Sequence, residues 1–593
     1  MHSKTIPMLA TVGMLFSAVN ATAESTYEGE PVQVTATRSE QAADESLAAV
    51  SVITREDIDR AQAPDLLELL RLEAGVDIVR SGGPGGQTSL FMRGTNSNHV
   101  LVLVDGVRVS AAGSGGFTWE IVDPAIVERI EIVRGPRAAR WGSDAIGGVI
   151  QIFTRRPDGA AARAAYGRYD DRQLSAHFGN GFLGLNVAAR NVEGFSAQNP
   201  SGPAYDPDDD DFDNLSVSAR GDHRLGRGEL RWSARLADGD VEFDRGESDF
   251  LNYALRGAYR QRTDGPWIWE GSAAFYRDNL ETDNGFSISD AATRRVQTGF
   301  QAEREIGAGT TWLLGVDAWH VDGDTSDSFD RDRENIGAWT GFDGRRDALS
   351  WEASLRADHD SQFGSALTGN LAGGWRMSES LRLSASLGRA FRAPSFSQLY
   401  SPGFGGQYAG NPDLDPETSL SGELGLDWFG PGGHGLGLSV YQNDVEDLIA
   451  FSGPDFRAIN IEKARIRGAE LSYRFTADRW RAESNLTWQD AENRTQDSAL
   501  LRRADIKGSI SLDRTFDNGG WLGTEIVHIG ERPDFGADLP AYTLLNLRAG
   551  WPLGAGLTLE GRVENLTDKD YEPIAGYNAA RRSAFVALRW QSH

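Results

Sequence analysis

The sequence predicts an all-β transmembrane barrel of about 22 antiparallel strands, with an N-terminal mixed α/β domain inside its lumen. Three observations predict this fold. From residue 157 onward, apolar and polar residues alternate in stretches of about ten, the length of a membrane-spanning strand. Residues 46–156 instead show a compact α/β pattern whose strands are apolar on both faces. After residue 23, no stretch approaches 18 consecutive apolar residues, so helices are not predicted to cross a membrane.

Residues 1–23 are predicted to be a signal peptide. Lys4 precedes the apolar run IPMLATVGMLFSAV, and Ala21 and Ala23 stand in the small-residue order that precedes a signal-peptidase cut. The run is shorter than the roughly 20 residues that a membrane anchor needs. We therefore expect export and cleavage after Ala23.

Composition excludes several classes of protein. The chain has no cysteine, so an exported fold must be stable without disulfides or a thiolate metal site. Its 86 acidic residues outnumber its 59 basic ones, for a net charge of −27. Nucleic acid is therefore not an expected partner, because phosphates would be repelled.

Residues 24–45 are polar except for a short strand pattern in PVQVTATR, where Val32 and Val34 alternate with polar residues. An isolated extended segment of this kind can add itself to the sheet edge of another protein through main-chain hydrogen bonds. An edge strand of the following domain is the alternative interpretation.

Residues 46–156 are predicted to form one small domain. Thr54 and Asp57 have the spacing of a capping box that opens a helix. A second helix is predicted from Pro64 to a stop at Gly75. Strands are predicted in SLFMRG, HVLVLVDGVRV, VERIEIVRG and GGVIQIFTRR. Because these strands are apolar on both faces, the domain needs to be covered on every side.

Residues 157–593 are predicted to form the barrel. In LGLNVAARN, Leu185 and Val187 share one face, and Asn186 and Arg190 share the other. At roughly 20 residues per strand and connection, the 437 residues of this segment allow about 22 strands, a size that known barrels use with a plugged lumen. The domain of residues 46–156, which we call the plug, is the available filler.

Several motifs carry a resemblance to a known family. They are VQVTATRSEQ (32–41), LFMRGTNSNHVLVLVDGVRV (90–109), VERIEIVRGPRAARWGSDAIGGVIQIFTRR (127–156), FRAPSFSQLY (391–400), GNPDLDPETS (410–419), NIEKARIRGAELSYRF (460–475) and VENLTDKDYE (563–572). With these, the chain resembles TonB-dependent outer-membrane receptors over essentially its whole mature length. The cobalamin (vitamin B12) receptor branch is the most similar.

The resemblance implies active uptake of a scarce large nutrient, cobalamin or another corrinoid, across the bacterial outer membrane. The alternatives are a siderophore (iron chelate) receptor of the same fold, a passive porin or surface adhesin, and a secreted all-β hydrolase. Uptake would be powered by a periplasmic TonB-type protein, and we expect a monomer embedded in outer-membrane lipid. The residues expected to contact that partner are Pro31, Val32, Gln33, Val34, Thr35 and Ala36.

The resemblance also implies a set of ion pairs between plug and barrel. Arg93 and Arg134 of the plug are expected to pair with Glu423 and Glu470 of the barrel wall. A buried charge needs such a partner. We expect these four residues to form a lock that opens when the coupling segment is pulled; ordinary solvated surface charge is the alternative.

The acidic stretches YDPDDDDFDNLS (205–216) and ADGDVEFDRGESD (237–249) are predicted to be neighbouring outer loops. Converging carboxylates repel one another unless a hard cation lies among them, and calcium takes six to eight oxygen ligands. Cobalamin receptors have calcium-ordered loops in this region, so a structural Ca²⁺ is expected; a disordered, solvated acidic loop is the alternative. The predicted ligands are Asp208, Asp210, Asp211, Asp238, Asp240 and Asp244.

By the same resemblance, two plug loops, residues 80–89 and 109–120, are expected to face the substrate. Phe117 and Trp119 are candidates to stack on a macrocycle, or else to anchor the core of the plug. The predicted ligand contacts are Ser81, Gly82, Ser110, Ser114, Phe117 and Trp119.

No catalytic residue or catalytic cofactor is predicted. The chain contains neither a G-x-S-x-G elbow nor an H-E-x-x-H pair. His99 is expected to be a packed histidine. The FRAP and NPDL boxes (391–394 and 411–414) have no histidine between them to ligate iron, which ranks haem below a corrinoid or a siderophore.

Overall fold

The computed structural model describes residues 33–34, 38, 41–307, 309–326, 328–403, 407–452 and 456–592. The predicted signal peptide lies outside these residues. No helix among them is long and apolar enough to cross a membrane.

The plug is a five-stranded mixed sheet with short helices. The sheet has the order β3-β8-β9-β6-β7, and only β6 and β9 run parallel. Strands β4 and β5 form a separate hairpin, and β1 pairs with β2. The strands are β1 (Gln33–Val34), β2 (Gln41–Ala42), β3 (Val50–Ile53), β4 (Val76–Arg80), β5 (Thr88–Met92), β6 (Val100–Val104), β7 (Val107–Arg108), β8 (Val127–Arg134) and β9 (Gly148–Thr154). The helices are α1 (Arg55–Ala61), α2 (Leu66–Leu70) and α3 (Ala138–Trp141), with 3-10 turns at Ala43–Glu45, Ser97–His99, Trp119–Ile121 and Pro124–Ile126.

Helix α1 begins at the predicted capping box. The Thr54 side chain accepts from the Asp57 N–H at 3.3 Å, and the Asp57 carboxylate accepts from the Thr54 N–H at 2.8 Å. Two of the unpaired groups at the helix start are satisfied in this way.

Helix α2 is shorter than the predicted helix, which was to run to Gly75. It ends at Leu70, after which the N–H groups of Leu72 and Glu73 donate to the carbonyls three residues back, and the wall then binds the chain. Leu72 O accepts from Asn485 and Ser509, at 3.0 and 2.6 Å. Gly75, at φ +68°, then turns the chain into β4.

The barrel is closed and has 22 antiparallel strands, as predicted. The first strand, β10, pairs with the last, β34, and the two-residue β27 (Ser498–Ala499) only extends the edge of β26. The spanning strands are β10 (Asp158–Gly167), β11 (Arg172–Asn180), β12 (Leu183–Val192), β13 (Phe212–Leu225), β14 (Gly228–Phe243), β15 (Gly246–Arg262), β16 (Trp267–Asp283), β17 (Ile288–Gly307), β18 (Thr310–Thr325), β19 (Phe329–Arg346), β20 (Leu349–Asp360), β21 (Gly364–Ser378), β22 (Leu381–Arg392), β23 (Glu417–Phe429), β24 (His434–Ser452), β25 (Arg457–Ala477), β26 (Trp480–Asn493), β28 (Ile506–Thr515), β29 (Trp521–Ile529), β32 (Tyr542–Gly554), β33 (Leu557–Glu564) and β34 (Ser583–Gln591). A short helix, α4 (Phe396–Tyr400), a 3-10 turn (Pro431–Gly433) and the hairpin of β30 (Arg532–Asp534) and β31 (Ala537–Leu539) lie in the connections.

The two faces of the wall differ as the alternating pattern predicts. On β12, Leu185 and Val187 are 42% and 43% exposed on the outside, whereas Asn186 is fully buried inside. Exposed leucine and valine in such continuous rows are stable in lipid and unfavourable in water. The long connections lie at one end of the barrel and the tight turns at the other, which in outer-membrane barrels are the extracellular and periplasmic ends.

The plug lies inside the lumen, as predicted. Its hydrophobic core continues into the wall, where Phe212, Phe250 and Tyr276 belong to the same buried cluster as Ile130 and Ile152 of the plug sheet. The Tyr276 hydroxyl also donates to Val109 O at 3.1 Å. The barrel therefore covers the plug, whose strands are apolar on both faces.

Candidate functional site

The four predicted lock residues lie together between plug and wall. Arg93 forms two hydrogen bonds to Glu470, each 2.9 Å long, and two to Glu423, at 2.9 and 3.0 Å. Arg134 Nε lies 3.5 Å from Glu470 and the Arg134 guanidinium also donates to Ser51. Two arginines thus face two glutamates, so the buried cluster is balanced in charge.

Local backbone geometry aims both arginines at the wall. Arg93 directly follows β5, and Arg134 is the last residue of β8. Each precedes a glycine in the left-handed region, Gly94 at φ +72° and Gly135 at φ +82°. The R-G pairs in MRG and VRG therefore turn the chain sharply and leave each arginine at the end of its strand. Arg93 itself has φ +50°, an uncommon conformation for a residue with a side chain.

Burial makes these ion pairs strong and also sensitive to the loss of a partner. Arg93 and Glu470 are each 4% exposed, and the Tyr441 ring lies 4.3 Å from the guanidinium. Burial alone would lower the pKa of Arg93, but the Glu423 and Glu470 carboxylates hold that pKa well above its usual value. Removing one partner leaves an uncompensated buried charge, the costly case for such pairs.

A second buried ionic contact links three of the family motifs. His99 is fully buried in the plug, and its Nε2 lies 3.1 Å from Glu417 Oε2 at the start of β23. Arg392, from the FRAP motif, donates to the same carboxylate at 2.6 Å. The interpretation of His99 as a packed histidine agrees with this geometry, but the sequence did not indicate its partners.

Only part of the predicted coupling segment is described. Gln33 and Val34 form β1, which pairs antiparallel with Gln41 and Ala42. Gln33 and Val34 therefore pair with the protein's own chain and are not the isolated strand that the sequence suggested. The other four predicted contact residues, Pro31, Val32, Thr35 and Ala36, lie outside the described residues.

Arg38, just after this segment, is a functional candidate that sequence reasoning missed. Its guanidinium donates to Asp317 of β18 at 2.8 Å and stacks on Trp141 at 4.4 Å. Asp317 also accepts from Arg356, at 2.6 Å. Arg38 stood in the quoted motif VQVTATRSEQ, but no local signal identified a partner 279 positions away.

The structure corrects two of the predicted ligand contacts. Phe117 and Trp119 are 9% and 4% exposed, and their rings meet edge to face with centroids 5.0 Å apart. Both belong to the core cluster of the plug, because the 3-10 turn at Trp119–Ile121 directs them inward. They anchor the core, and a macrocycle cannot stack on them in this arrangement.

The four small residues of the predicted ligand site are placed differently from one another. Gly82 is buried against Ala197 of the loop after β12, and Ser81 is half-buried beside it. Ser110 is half-buried and accepts from Arg295 of β17 at 3.3 Å. Ser114 is exposed, and its hydroxyl accepts from the Gly116 N–H. Of the six predicted contacts, Ser114 is the one the structure leaves most open.

The six predicted calcium ligands do not form a single cluster. Asp210 and Asp244 use their carboxylates to hold the loop after β12: Asp210 accepts from the Ala197 N–H, and Asp244 from the N–H groups of Gln198 and Asp206. Burial, with Asp244 and Asp208 nearby, raises the pKa of Asp210 to about 7.

The positions of the other four predicted ligands show why the six carboxylates do not form the predicted cluster. Residues 237–243 belong to β14 rather than to a loop, and the strand period directs Asp238 and Asp240 outward, with Asp238 opposite the exposed Leu215. Asp208 is exposed, and Asp211 is half-buried. Within the described ranges, no group of three or more potential ligands could hold a metal ion. The carboxylates as placed do not fit a bound calcium ion, and calcium binding itself stays a prediction.

Two family models match the chain. The model described as TonB-dependent Receptor Plug Domain matches residues 42–149, and the one described as TonB dependent receptor-like, beta-barrel matches residues 152–566. A curated relative named Vitamin B12 transporter BtuB, from Vibrio vulnificus, is 31% identical over 609 residues and covers 96% of each chain. One of the same name from Photobacterium profundum is 31% identical and covers 94% of this chain and 95% of its own.

Solved structures with the same fold are named for several different substrates. A mutant of the ferric enterobactin receptor PfeA from Pseudomonas aeruginosa has a TM-score of 0.79 at 19% identity and covers 94% of this chain and all of its own. The siderophore receptor PirA from Acinetobacter baumannii has a TM-score of 0.78 at 17% identity, and the match covers 92% of this chain and 98% of PirA. A structure titled copper transporter OprC has a TM-score of 0.79, also at 17%, with the same coverage. At these identities the likeness shows the fold alone.

Proposed function

The chain belongs to the TonB-dependent receptor family of the bacterial outer membrane, and we propose that it imports cobalamin or a closely related corrinoid. Members of this family are transporters and receptors that bind a ligand and work with TonB. Here the periplasmic partner would bind residues 31–36 and pull.

One observation supports the import mechanism. The coupling segment is weakly paired at β1, whereas Arg38, just after the segment, is bound to the barrel wall. Within the described part of this segment, β1 pairs over two residues, so its backbone can be added to the sheet of a partner. Four residues later, Arg38 is held by Asp317. Force applied at β1 therefore reaches this ion pair before it reaches the plug sheet.

The lock residues would hold the plug in the barrel until the coupling segment is pulled. Arg93, Arg134 and Glu470 are each 4% exposed, and the Glu423 side chain is 11% exposed, so their ion pairs are largely shielded from water. A passive porin needs no such closure and no coupling segment, which makes it the weaker hypothesis.

Two observations favour a corrinoid over an iron chelate. The relatives at 31% identity over nearly the whole chain are named vitamin B12 transporters. One extracellular loop is also acidic: Asp208 and Asp209 are exposed in the loop before β13. A ferric tris-catecholate is strongly anionic and would be repelled at such an entrance, whereas a corrinoid with no net charge would not.

Equilibrium binding to the purified receptor tests the proposal. We expect saturable binding of cyanocobalamin and none of ferric enterobactin at the same concentration. Each titration is run with calcium and with a chelator, which also tests the calcium prediction. Saturable binding of ferric enterobactin alone would replace the corrinoid with a siderophore.

Uptake tests the energy source. Cells that express the receptor are expected to accumulate cyanocobalamin only when the TonB-type partner is present. Equal accumulation without the partner would indicate a passive pore.

A further inference from the structure

Two arginines lie on the outer face of the barrel, at the periplasmic edge of its apolar band. Arg304 is near the end of β17 and Arg514 near the end of β28, and both side chains are exposed. The strand period places Arg304 on the same face as Phe300, and Arg514 on the same face as Ile510 and Leu512. These three apolar side chains are exposed on the surface that meets lipid. Both arginines therefore lie where the lipid-facing surface ends.

Each of these arginines stands beside a tryptophan of the neighbouring strand. Arg514 is in register with Trp480, the first residue of β26, and its guanidinium lies 5.1 Å from the centre of that ring. Arg304 is in register with Trp267, the first residue of β16, at 5.8 Å. A guanidinium at such a distance is attracted to the negative face of the ring. The barrel therefore forms the same arginine–tryptophan pair on two separate pairs of strands.

A second aromatic ring accompanies each pair. The Arg514 guanidinium also lies 5.6 Å from the centre of the Phe516 ring. Trp312 is in register with Arg304 on the other side of β17, and its ring lies 5.4 Å from that of Trp267. Contact with an aromatic face orients a guanidinium without using its N–H donors. The rings therefore position the two cations and leave their donors available.

Neither guanidinium forms a hydrogen bond or an ion pair with any residue that the structure describes. Other arginines at this end of the barrel are neutralised: Arg479, in the turn before β26, pairs with Asp517. Arginine has five N–H donors in a planar fork that matches the oxygens of a phosphate. Arg304 and Arg514 therefore present unused donors at the level of the lipid head groups.

We propose that Arg304 and Arg514 each bind the phosphate of a phospholipid in the periplasmic leaflet of the outer membrane. The barrel lies in that membrane, so lipid covers this face of the wall. The guanidinium donates to the phosphate oxygens, and the acyl chains lie along the exposed apolar side chains of the same strand. The ligand is a lipid rather than free phosphate because only a lipid makes both contacts. This inference does not depend on which substrate the receptor imports.

Native mass spectrometry of the delipidated receptor, titrated in detergent with phosphatidylglycerol, tests the proposal. We expect two phosphatidylglycerol molecules to bind above the background set by diacylglycerol with the same chains, which lacks the phosphate. Arg514→Gln should weaken one of the two sites about tenfold, the effect of losing a hydrogen bond to a charged group. The double variant Arg304→Gln, Arg514→Gln should weaken both sites. Inorganic phosphate should not displace the lipid.

Arg227→Gln is the matched control, because it removes the same charge from the same end of the barrel. Arg227, in the turn between β13 and β14, donates to both carboxylate oxygens of Asp264 at 2.7 Å and is therefore already neutralised. This variant should bind phosphatidylglycerol as the wild type does. Arg304 and Arg514 are exposed and unpaired within the described ranges, so their replacement leaves no buried group unsatisfied and the barrel should fold.

Several results would contradict the lipid sites. Wild-type binding by the double variant would show that the two arginines do not hold the lipid. An equal loss in Arg227→Gln would assign the effect to net charge, and equal binding of diacylglycerol would show that the phosphate is not recognised. Displacement by inorganic phosphate would identify free phosphate as the ligand. None of these results would alter the proposed uptake function.

Discussion

Glu470→Ala is predicted to loosen the plug inside the barrel. The substitution removes two hydrogen bonds of 2.9 Å to Arg93 and the 3.5 Å contact to Arg134, both in a site that is 4% exposed. Breaking a buried ion pair costs about 3–5 kcal/mol, and Arg93 keeps Glu423, so we expect about 3 kcal/mol. Hydrogen exchange measured by mass spectrometry should show amides of β5 and β8 exchanging about 100-fold faster.

The control is Asp490→Ala, which removes a carboxylate of similar size from the exposed pair that Asp490 forms with Arg467 at 2.7 Å. Exposed pairs contribute about 1 kcal/mol or less, so plug exchange should stay within a fewfold of the wild type. Unchanged exchange in the double variant Glu470→Ala, Glu423→Ala would refute the lock. Equal acceleration by Asp490→Ala would show that the effect is not specific to it.

Three further predictions concern the coupling segment and the plug. Val34→Pro removes a backbone donor from β1, so uptake should be lost while equilibrium ligand binding is kept; retained uptake would exclude strand addition to the partner. Asp317→Asn should speed hydrogen exchange of Gln33, Val34 and Arg38 without unfolding the wall, because Arg356 keeps its 2.8 Å bonds to Asp358; unchanged exchange would show that Arg38 does not restrain β1. Burial raises the pKa of Glu120 from 4.5 to about 7, so the folded plug favours the protonated acid. The protonated form stabilises the folded plug by at most about 3 kcal/mol. This contribution is complete below pH 4.5 and is lost as the pH rises through 7. Plug exchange should therefore accelerate between these pH values after correction for the intrinsic rate, and Glu120→Gln should abolish the change; an identical profile in that variant would assign the pH dependence to another group.

The architecture was predictable because it depends on periodic patterns. Alternation along strands such as β12 reports which face meets lipid, and that pattern needs no knowledge of distant residues. The lock was predictable only through family resemblance: Arg93 and Glu470 are 377 positions apart, and neither has a local signature of pairing.

The errors have two physical causes. The acidic stretch that contains Asp238 and Asp240 is predicted to be an outer loop between strands, but β14 continues through both residues to Phe243. Phe117 and Trp119 follow glycine-rich sequence typical of an exposed loop, yet a 3-10 turn directs both rings into the core. In each case, the position of the chain relative to lipid or to the core determines where the side chains lie. Composition alone does not reveal that position.

Single-channel conductance of the intact protein in a planar lipid bilayer tests the central claim most directly. A 22-stranded barrel is wide enough to conduct ions unless it is filled. The structure places residues 46–156 inside the lumen, fixed by the Arg93 cluster and by apolar packing against β13, β15 and β16. We predict no steady open-pore current from the intact chain. A steady current of the size expected for an empty 22-stranded pore would contradict the account.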